Sequence, residues 1–302
     1  MLRILLILLI FLAPVALFAG VLRFDQSFGE LRSKREYVIR IDLPPPDAVM
    51  GLPKVQGPLD SSRPLVVIDA GHGGHDPGAG SSENAAKEKD LTLKLALALR
   101  DKLLADGGVR VALTRSDDRY LLLEERSGIA RKLHADLFIS IHADSADSAS
   151  ASGATVYTLS QKGSSEEAEK LAASENQADM INGVTLGATT NDVSAILVDL
   201  SQRQSAAQSE EMARLILRVN AEMAGVGAMD FRTRPIQSAA FVVLKSPDLP
   251  SILFEAGYIS NSHDAAQLAS SAGRANFAEV TARAIKVFFA RNSRATIGAV
   301  TP

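Results

Sequence analysis

The sequence contains no cysteine and no tryptophan, and aromatic residues make up only 5% of it. Without cysteine there is no disulfide framework and no thiol nucleophile, so any metal ligands must be histidine or carboxylate side chains. A basic excess is also missing, since 32 lysines and arginines stand against 35 acidic residues in a chain of 302, giving a formal charge of −3. This balance argues against nucleic acid as a partner and fits a globular enzyme.

The first 22 residues form an apolar stretch with a basic start. Arg3 precedes the run from Ile4 to Leu22, which contains Pro14. This pattern is typical of a secretory signal peptide. No clear cleavage site follows, and the length is close to that of a spanning helix, so an uncleaved anchor is the alternative. We predict a short N-terminal segment and linker over 23–62, with the prolines and small residues expected of a linker.

Two apolar segments each end on a histidine. They are LVVIDAGH, which ends at His72, and DLFISIH, which ends at His142. Apolar runs without polar alternation are typical of parallel strands that are covered on both faces. Ligands of such sheets gather at the carboxyl ends of the strands, so we expect both histidines to face one crevice.

A glycine-rich loop and a helix follow the first histidine. Residues 71–80 read GHGGHDPGAG, which predicts a tight exposed loop. From Leu91 to Leu104 apolar residues recur at helical spacing, so Glu88 lies at the start of a helix near His72. Two imidazoles and a carboxylate are a common catalytic zinc set. Glu88 taken alone could also be an acid favoured by the helix dipole.

One further carboxylate ends an apolar strand. In LPSILFEAGYISN, residues 249–261, Glu255 stands just before Ala256 and Gly257. A carboxylate in such a place has little structural purpose unless it is paired or catalytic. Glu255 is therefore the candidate proton-transfer group, and a buried ion-pair partner is the alternative.

Together these segments resemble the zinc-dependent N-acetylmuramoyl-L-alanine amidases, the cell-wall amidases of the third amidase family. The matching motifs are IDAGHGG at 68–74, EKD at 88–90, SIHAD at 140–144 and FEAGYISN at 254–261. The resemblance covers roughly residues 63–292. It implies that His72, Glu88 and His142 bind Zn²⁺ and that Glu255 is the catalytic carboxylate. The implied substrate is the peptidoglycan amide that joins N-acetylmuramic acid to L-alanine.

The expected architecture is a single α/β domain over 63–292. We predict a mixed, largely parallel sheet sandwiched between helices, with a helical insertion at about 161–206 and a tail over 293–302. Strands are expected at 153–159 and 239–244. Ser164 and Glu167 have capping-box spacing, which predicts a helix that ends near 180–183. A second helix is expected from about Val193 to Val226, with a break near Gln204.

The segment AASENQAD, residues 172–179, resembles an autoinhibitory insertion. In the amidases that separate daughter cells of Gram-negative bacteria, a helical insertion at this place covers the zinc. The resemblance makes Glu175 the candidate residue that blocks the open zinc position. A solvated helix carrying Glu166, Glu167, Glu169 and Glu175 is the alternative.

The resemblance also implies partners and a location. It predicts peptidoglycan as substrate, a LytM-domain protein as activator during cell division, and a periplasmic enzyme. Contact with the membrane is expected only through an uncleaved N-terminal anchor. The alternative functions are a zinc carboxypeptidase or other peptidase acting on wall peptides, and a non-catalytic septal protein that binds the wall. Asparagine is common in the family at the positions of Arg131 and Asp144, so the chain departs from the pattern beside His142.

Overall fold

The computed structural model describes residues 17, 19, 23, 51–80, 87–146, 151–181, 184–185, 195–246 and 248–298. It divides the chain into two compact units, Met1–Met50 and Gly51–Pro302. In the first unit Leu17, Ala19 and Arg23 are helical. The rest of the predicted leader and its linker up to residue 50 lie outside the described residues. Among the helices that are described, none is long and apolar enough to cross a membrane.

A six-stranded sheet organises the second unit. Its strands are β1 (Leu65–Ala70), β2 (Arg110–Leu113), β3 (Leu137–His142), β4 (Ala154–Leu159), β7 (Phe231–Ala239) and β8 (Ser251–Glu255), and the short β5 (Met180–Ile181) and β6 (Val184–Thr185) pair with each other. The order is β2-β1-β3-β8-β4-β7. Strands β2, β1, β3 and β8 are parallel, β4 is antiparallel to β8, and β7 is parallel to β4. The predicted mixed, largely parallel sheet is confirmed.

Helices cover both faces of this sheet. The described helices are α1 (Glu88–Asp106), α2 (Leu123–Lys132), α3 (Glu166–Glu175), α4 (Ala195–Glu222), α5 (Ser262–Ala269) and α6 (Ser271–Gly298). Val66 and Ile68 pack with α1, α4 and α6, whereas Leu65 and Val67 pack with α2 and α3 on the other face. Alternate residues of β1 thus enter opposite cores, which is why its sequence is apolar without alternation.

The helices of the predicted insertion differ in detail from expectation. Helix α3 is capped by Ser165, whose Oγ accepts a hydrogen bond from the amide of Ala168 at 3.1 Å. The predicted cap, Ser164, instead exchanges hydrogen bonds with Ser238 of the neighbouring strand β7. Helix α3 ends at Glu175 rather than near 180, and α4 continues through Gln204 without a break. The expected limits of the insertion remain a prediction.

The prediction of a strand at 239–244 is wrong. Strand β7 ends at Ala239, and Val242–Leu244 forms a single 3₁₀ turn. Phe241, Val243 and Leu244 are buried all the same, in the core that contains α2 and α3. A short apolar run indicates burial but does not distinguish a buried strand from another buried segment.

The sheet brings several segment ends to one edge. Ala70 of β1 is in register with Ile141 of β3, and His142 of β3 with Glu255 of β8. Because β4 is antiparallel to β8, its first residues lie at the same edge, where Thr155 pairs with Glu255. The carboxyl ends of β1, β3 and β8 therefore meet the amino end of β4.

Candidate metal centre

His72 stands two residues beyond β1 in a left-handed backbone conformation, with φ of 58°. A non-glycine residue pays a steric cost there, of the kind that clusters at functional sites. Its Nδ1 lies 2.8 Å from Oδ2 of Asp76. This contact leaves the other ring nitrogen, Nε2, facing Glu88, whose Oε2 is 3.1 Å away.

His142 is the last residue of β3. Its Nδ1 lies 3.2 Å from Oε1 of Glu88, and its ring centroid is 4.9 Å from that of His72. A Cβ at Gly71 would come within 2.5 Å of the His142 ring. Glycine at position 71 is therefore required by the close approach of the imidazole to the backbone.

Glu88 opens helix α1 and lies between the two rings. It is fully buried, and its two oxygens also accept hydrogen bonds from the amides of Ala79 and Ala143, both at 2.8 Å. Burial alone would raise the pKa of Glu88, but the charges and hydrogen bonds of His72 and His142 outweigh it and hold the pKa well below its usual value. Glu88 is therefore an ionised carboxylate with both oxygens fixed in direction.

Glu175 approaches the same point from helix α3. Its Oε2 lies 3.1 Å from Nδ1 of His142 and 3.5 Å from Nε2 of His72. The side chain is buried, unlike the solvated glutamates considered as the alternative for this helix. One ligand atom from each of His72, Glu88, His142 and Glu175 lies within 4.8 Å of the other three.

Several atoms of this cluster are buried without a hydrogen-bond partner. Within the described part of the chain, Nε2 of His72, Nδ1 of His142 and Oε2 of Glu175 all belong to this class. Burial lowers the pKa of His72, but the charges of Glu88 and Glu175 outweigh it and raise that pKa to about 10. The cluster thus attracts positive charge, and its two nitrogens and two carboxylates are a donor set that suits Zn²⁺.

Glu255 lies beside this cluster at the end of β8. Its Oε2 accepts a hydrogen bond from the amide of Asp144 at 3.1 Å, while Oε1 is buried without a partner among the described residues. Burial raises the pKa of Glu255 well above its usual value, and Asp144 and Glu88 add to the effect although His142 opposes it. Burial, Glu88 and Glu175 likewise raise the pKa of Asp144 to about 7. A carboxyl in these surroundings is suited to exchanging a proton.

A buried network beneath the site was missed by sequence reasoning. Asp69 accepts hydrogen bonds from Thr114 at 2.5 Å, Ser140 at 2.7 Å and Arg126 at 3.1 Å. Arg126 also donates to the backbone oxygen of His72 at 3.0 Å, so the network supports the strained residue directly. The one available signal was an aspartate inside the apolar strand of β1.

Asp76 was missed as well, although it is the hydrogen-bond partner of His72. Its position four residues after His72 in the glycine-rich loop was the available signal. The remaining histidines, His75, His134 and His263, are exposed, and none of them belongs to the cluster.

Comparison with known proteins gives one family. A model of the N-acetylmuramoyl-L-alanine amidases matches residues 66–287. AmiC of Escherichia coli O6:H1 is 35% identical over 236 residues, which cover 78% of this chain and 55% of that protein. AmiA of Escherichia coli K12 is 36% identical over 240 residues, covering 79% of this chain and 81% of AmiA. The chain thus spans about half the length of the AmiC relative and most of the AmiA relative.

Solved structures give the same result. AmiC2 of Nostoc punctiforme matches with a TM-score of 0.53 and 29% identity, covering 76% of this chain and 98% of that one. The catalytic domain of CwlV from Bacillus (Paenibacillus) polymyxa matches with a TM-score of 0.53 and 25% identity, covering 75% and 98%. Both are N-acetylmuramoyl-L-alanine amidases.

Proposed function

The chain belongs to the N-acetylmuramoyl-L-alanine amidase family of enzymes, as its motifs predicted, and from this premise we propose a zinc-dependent, autoinhibited wall amidase. The bond cleaved is the peptidoglycan amide between N-acetylmuramic acid and L-alanine. The observation that carries the metal requirement is the buried cluster of His72, Glu88, His142 and Glu175 with its unpartnered nitrogens.

The proposed zinc ligands are Nε2 of His72, Nδ1 of His142 and the carboxylate of Glu88. When bound, Zn²⁺ would supply Lewis-acid polarisation of the amide carbonyl and a lowered pKa for water. The contact with Asp76 holds the proton on Nδ1 of His72 and frees Nε2 for binding. The two backbone amides that bind Glu88 keep its oxygens directed at the rings.

Glu255 is the proposed catalytic carboxylate. Its free Oε1 would take a proton from the attacking water and return it to the amide nitrogen as the C–N bond breaks. The backbone amide of Asp144 holds the other oxygen, Oε2, and so fixes the direction of the carboxyl group. Proton transfer by a positioned group of this kind contributes about 10²–10⁴ in rate.

Glu175 is proposed to keep the site closed. Its Oε2 lies 3.1 Å from the His142 nitrogen that would bind zinc, where it competes with water and substrate for the open position. The end of α3 is tied down, because Asn176 bonds the backbone of Ala240 and Val242, and Asp179 accepts from Tyr120 at 2.8 Å. A carboxylate tethered in this way acts at high effective concentration.

Activation then requires a partner that favours the open state. A LytM-domain protein at the division site would have to bind the chain more tightly with α3 displaced than with α3 in place.

The amidase acts in the periplasm, reached through the secretory signal or anchor in residues 1–22. The cell-wall substrate of the family supports this location.

The test is digestion of purified peptidoglycan by the zinc-loaded chain, with mass analysis of the products. We expect peptides that begin with L-alanine, more of them from Glu175→Gln, and a loss of about 10²–10⁴ in rate in Glu255→Gln. Glu167→Gln is the matched control, since this exposed glutamate lies on the same helix α3. A chelator should abolish cleavage and added zinc restore it.

Other products would contradict parts of the proposal. Release of single amino acids from the peptide ends would favour the carboxypeptidase alternative. Binding to the wall without any cleavage would favour the non-catalytic septal protein. Equal rates for the parent, Glu175→Gln and Glu167→Gln would refute autoinhibition by Glu175 and leave the amidase proposal standing.

A further inference from the structure

A bulge interrupts the pairing of the edge strand β7 with β4 near the site. Ala154 of β4 pairs with Phe231 of β7, and Val156 with Ile236, so Thr155 alone faces the residues 232–235. Bulges of this kind redirect side chains and are frequent beside active sites. The bulge contains two arginines, Arg232 and Arg234.

This bulge lies at the catalytic edge of the sheet. Thr155, which faces it, is the register partner of Glu255 in β8. Two strand spacings therefore separate the bulge from the backbone of Glu255, which corresponds to about 10 Å.

The side chain of Arg232 is held in place by Tyr258. Its Nη1 donates to the Tyr258 hydroxyl at 2.5 Å, and its guanidinium carbon lies 5.2 Å from the centre of the Tyr258 ring. Tyr258 is itself buried and follows Glu255 by three residues. These contacts restrict the guanidinium before any ligand arrives, which lowers the entropic cost of binding.

Arg232 has no carboxylate at ion-pair distance among the described residues, and its one hydrogen bond there uses a neutral hydroxyl. The acidic side chains at this edge lie elsewhere, since Glu88 and Glu175 belong to the cluster with the two histidines and Glu255 ends β8. Arg232 is a half-buried residue, and apart from Nη1 its guanidinium N–H groups donate no hydrogen bond among the described residues. A guanidinium with unused N–H groups matches the two oxygens of an external carboxylate.

We propose that Arg232 forms an anion subsite that binds a carboxylate of the wall peptide on the leaving-group side of the cleaved amide. This inference rests on the proposed function. The lactyl carboxyl of the sugar is consumed in the scissile amide, so the carboxylates available near the bond belong to the peptide. About 10 Å corresponds to roughly three extended residues, which places the recognised group in the first few residues of the peptide.

The experiment compares two soluble muramoyl peptides that differ only in having a free carboxylate or a carboxamide on the residue after L-alanine. Cleavage is measured in the zinc-loaded full chain carrying Glu175→Gln. We expect kcat/KM to favour the acid by about 10- to 100-fold, as for a charge-assisted hydrogen bond. Arg232→Gln should abolish the preference for the acid and leave the cleavage rate of the carboxamide peptide nearly unchanged. Arg232→Lys should keep part of the preference.

Arg234→Gln is the matched control, because it removes the same charge from the same bulge. A second readout is calorimetric binding of the released peptide, as acid and as amide, which does not depend on turnover. Thermal unfolding of each variant verifies its fold.

The outcomes separate the two proposals. A preference for the acid that survives Arg232→Gln, or that falls equally with Arg234→Gln, overturns the assignment to Arg232. Cleavage of both peptides at equal rates overturns the subsite alone. If neither peptide is cleaved but the acid still binds more tightly than the amide, the proposed function is overturned and the subsite is retained. If neither peptide is cleaved and the two bind equally, the proposed function and the subsite are both overturned.

Discussion

Replacing Asp76 by asparagine should weaken zinc binding without unfolding the protein. Asp76 touches Nδ1 of His72 at 2.8 Å, and its other oxygen accepts from the amide of Gly78 at 3.1 Å. Burial raises the pKa of Asp76, but the hydrogen bond and charge of His72 outweigh it, so the net pKa is lowered and the group is ionised at neutral pH. Asparagine keeps the shape and one acceptor oxygen but removes the charge that makes the imidazole a stronger ligand.

Partners of this kind contribute about 10- to 100-fold to metal affinity. At 1.36 kcal/mol for each factor of ten, the expected loss is about 1.4–2.7 kcal/mol. The side chain of Asp76 is only 15% exposed, so solvent screens the contact little. Burial therefore places the estimate in the upper part of that range.

The assay is competition for zinc between the protein and a chromogenic chelator at fixed pH. Asp230→Asn is the matched control, because Asp230 contacts Nε2 of His263 at 3.3 Å in a pair where the aspartate is 80% exposed. We expect the control to bind zinc as the parent does. An affinity of Asp76→Asn within two-fold of the parent would refute the argument that Asp76 tunes His72.

Two further predictions concern the frame of the site. Gly71→Ala should abolish zinc binding, because the new Cβ would lie within 2.5 Å of the His142 ring; Gly80→Ala, whose Cβ meets nothing within 4 Å, is the control in the chelator assay. Asp69→Asn should lower the free energy of unfolding by about 3 kcal/mol at pH 7, since it breaks a buried pair with Arg126. Burial raises the pKa of Asp69, but Arg126, Thr114 and Ser140 outweigh it, so the pKa in the folded state lies below the ordinary value of 3.8. The stabilisation is therefore complete above the pKa of the unfolded state and is lost as the pH falls through the lower pKa of the folded state. Urea unfolding at pH 7 and pH 3 should show that the difference in the free energy of unfolding between the parent and Asp69→Asn is smaller at pH 3. A difference that stays constant would contradict the stabilising role of the ionised Asp69.

The sequence by itself determined the elements whose signals are local. The apolar runs of β1, β3 and β8 predicted buried parallel strands, because strands covered on both faces carry apolar residues on both faces rather than in alternation with polar ones. The sequence also predicted that His72 and His142 would meet, since the carboxyl ends of parallel strands share one edge. The order of the four motifs indicated the family, which the comparisons confirm.

Contacts between distant segments were decided only by the tertiary structure. Residue type and helical spacing do not distinguish Glu175 from Glu167 on the same helix, and only the family resemblance singled out Glu175. In the structure Glu175 is buried against two histidines and Glu167 is exposed. The direction in which α3 packs on the sheet makes that difference.

The same holds for the edge strand. The apolar run 239–244 indicated burial, but the hydrogen bonds of β7 to β4 start at Phe231 and end at Ala239. The register of those strands creates the bulge and brings Arg232 to Tyr258. Strand register depends on both partners at once, so one segment of sequence could not reveal it.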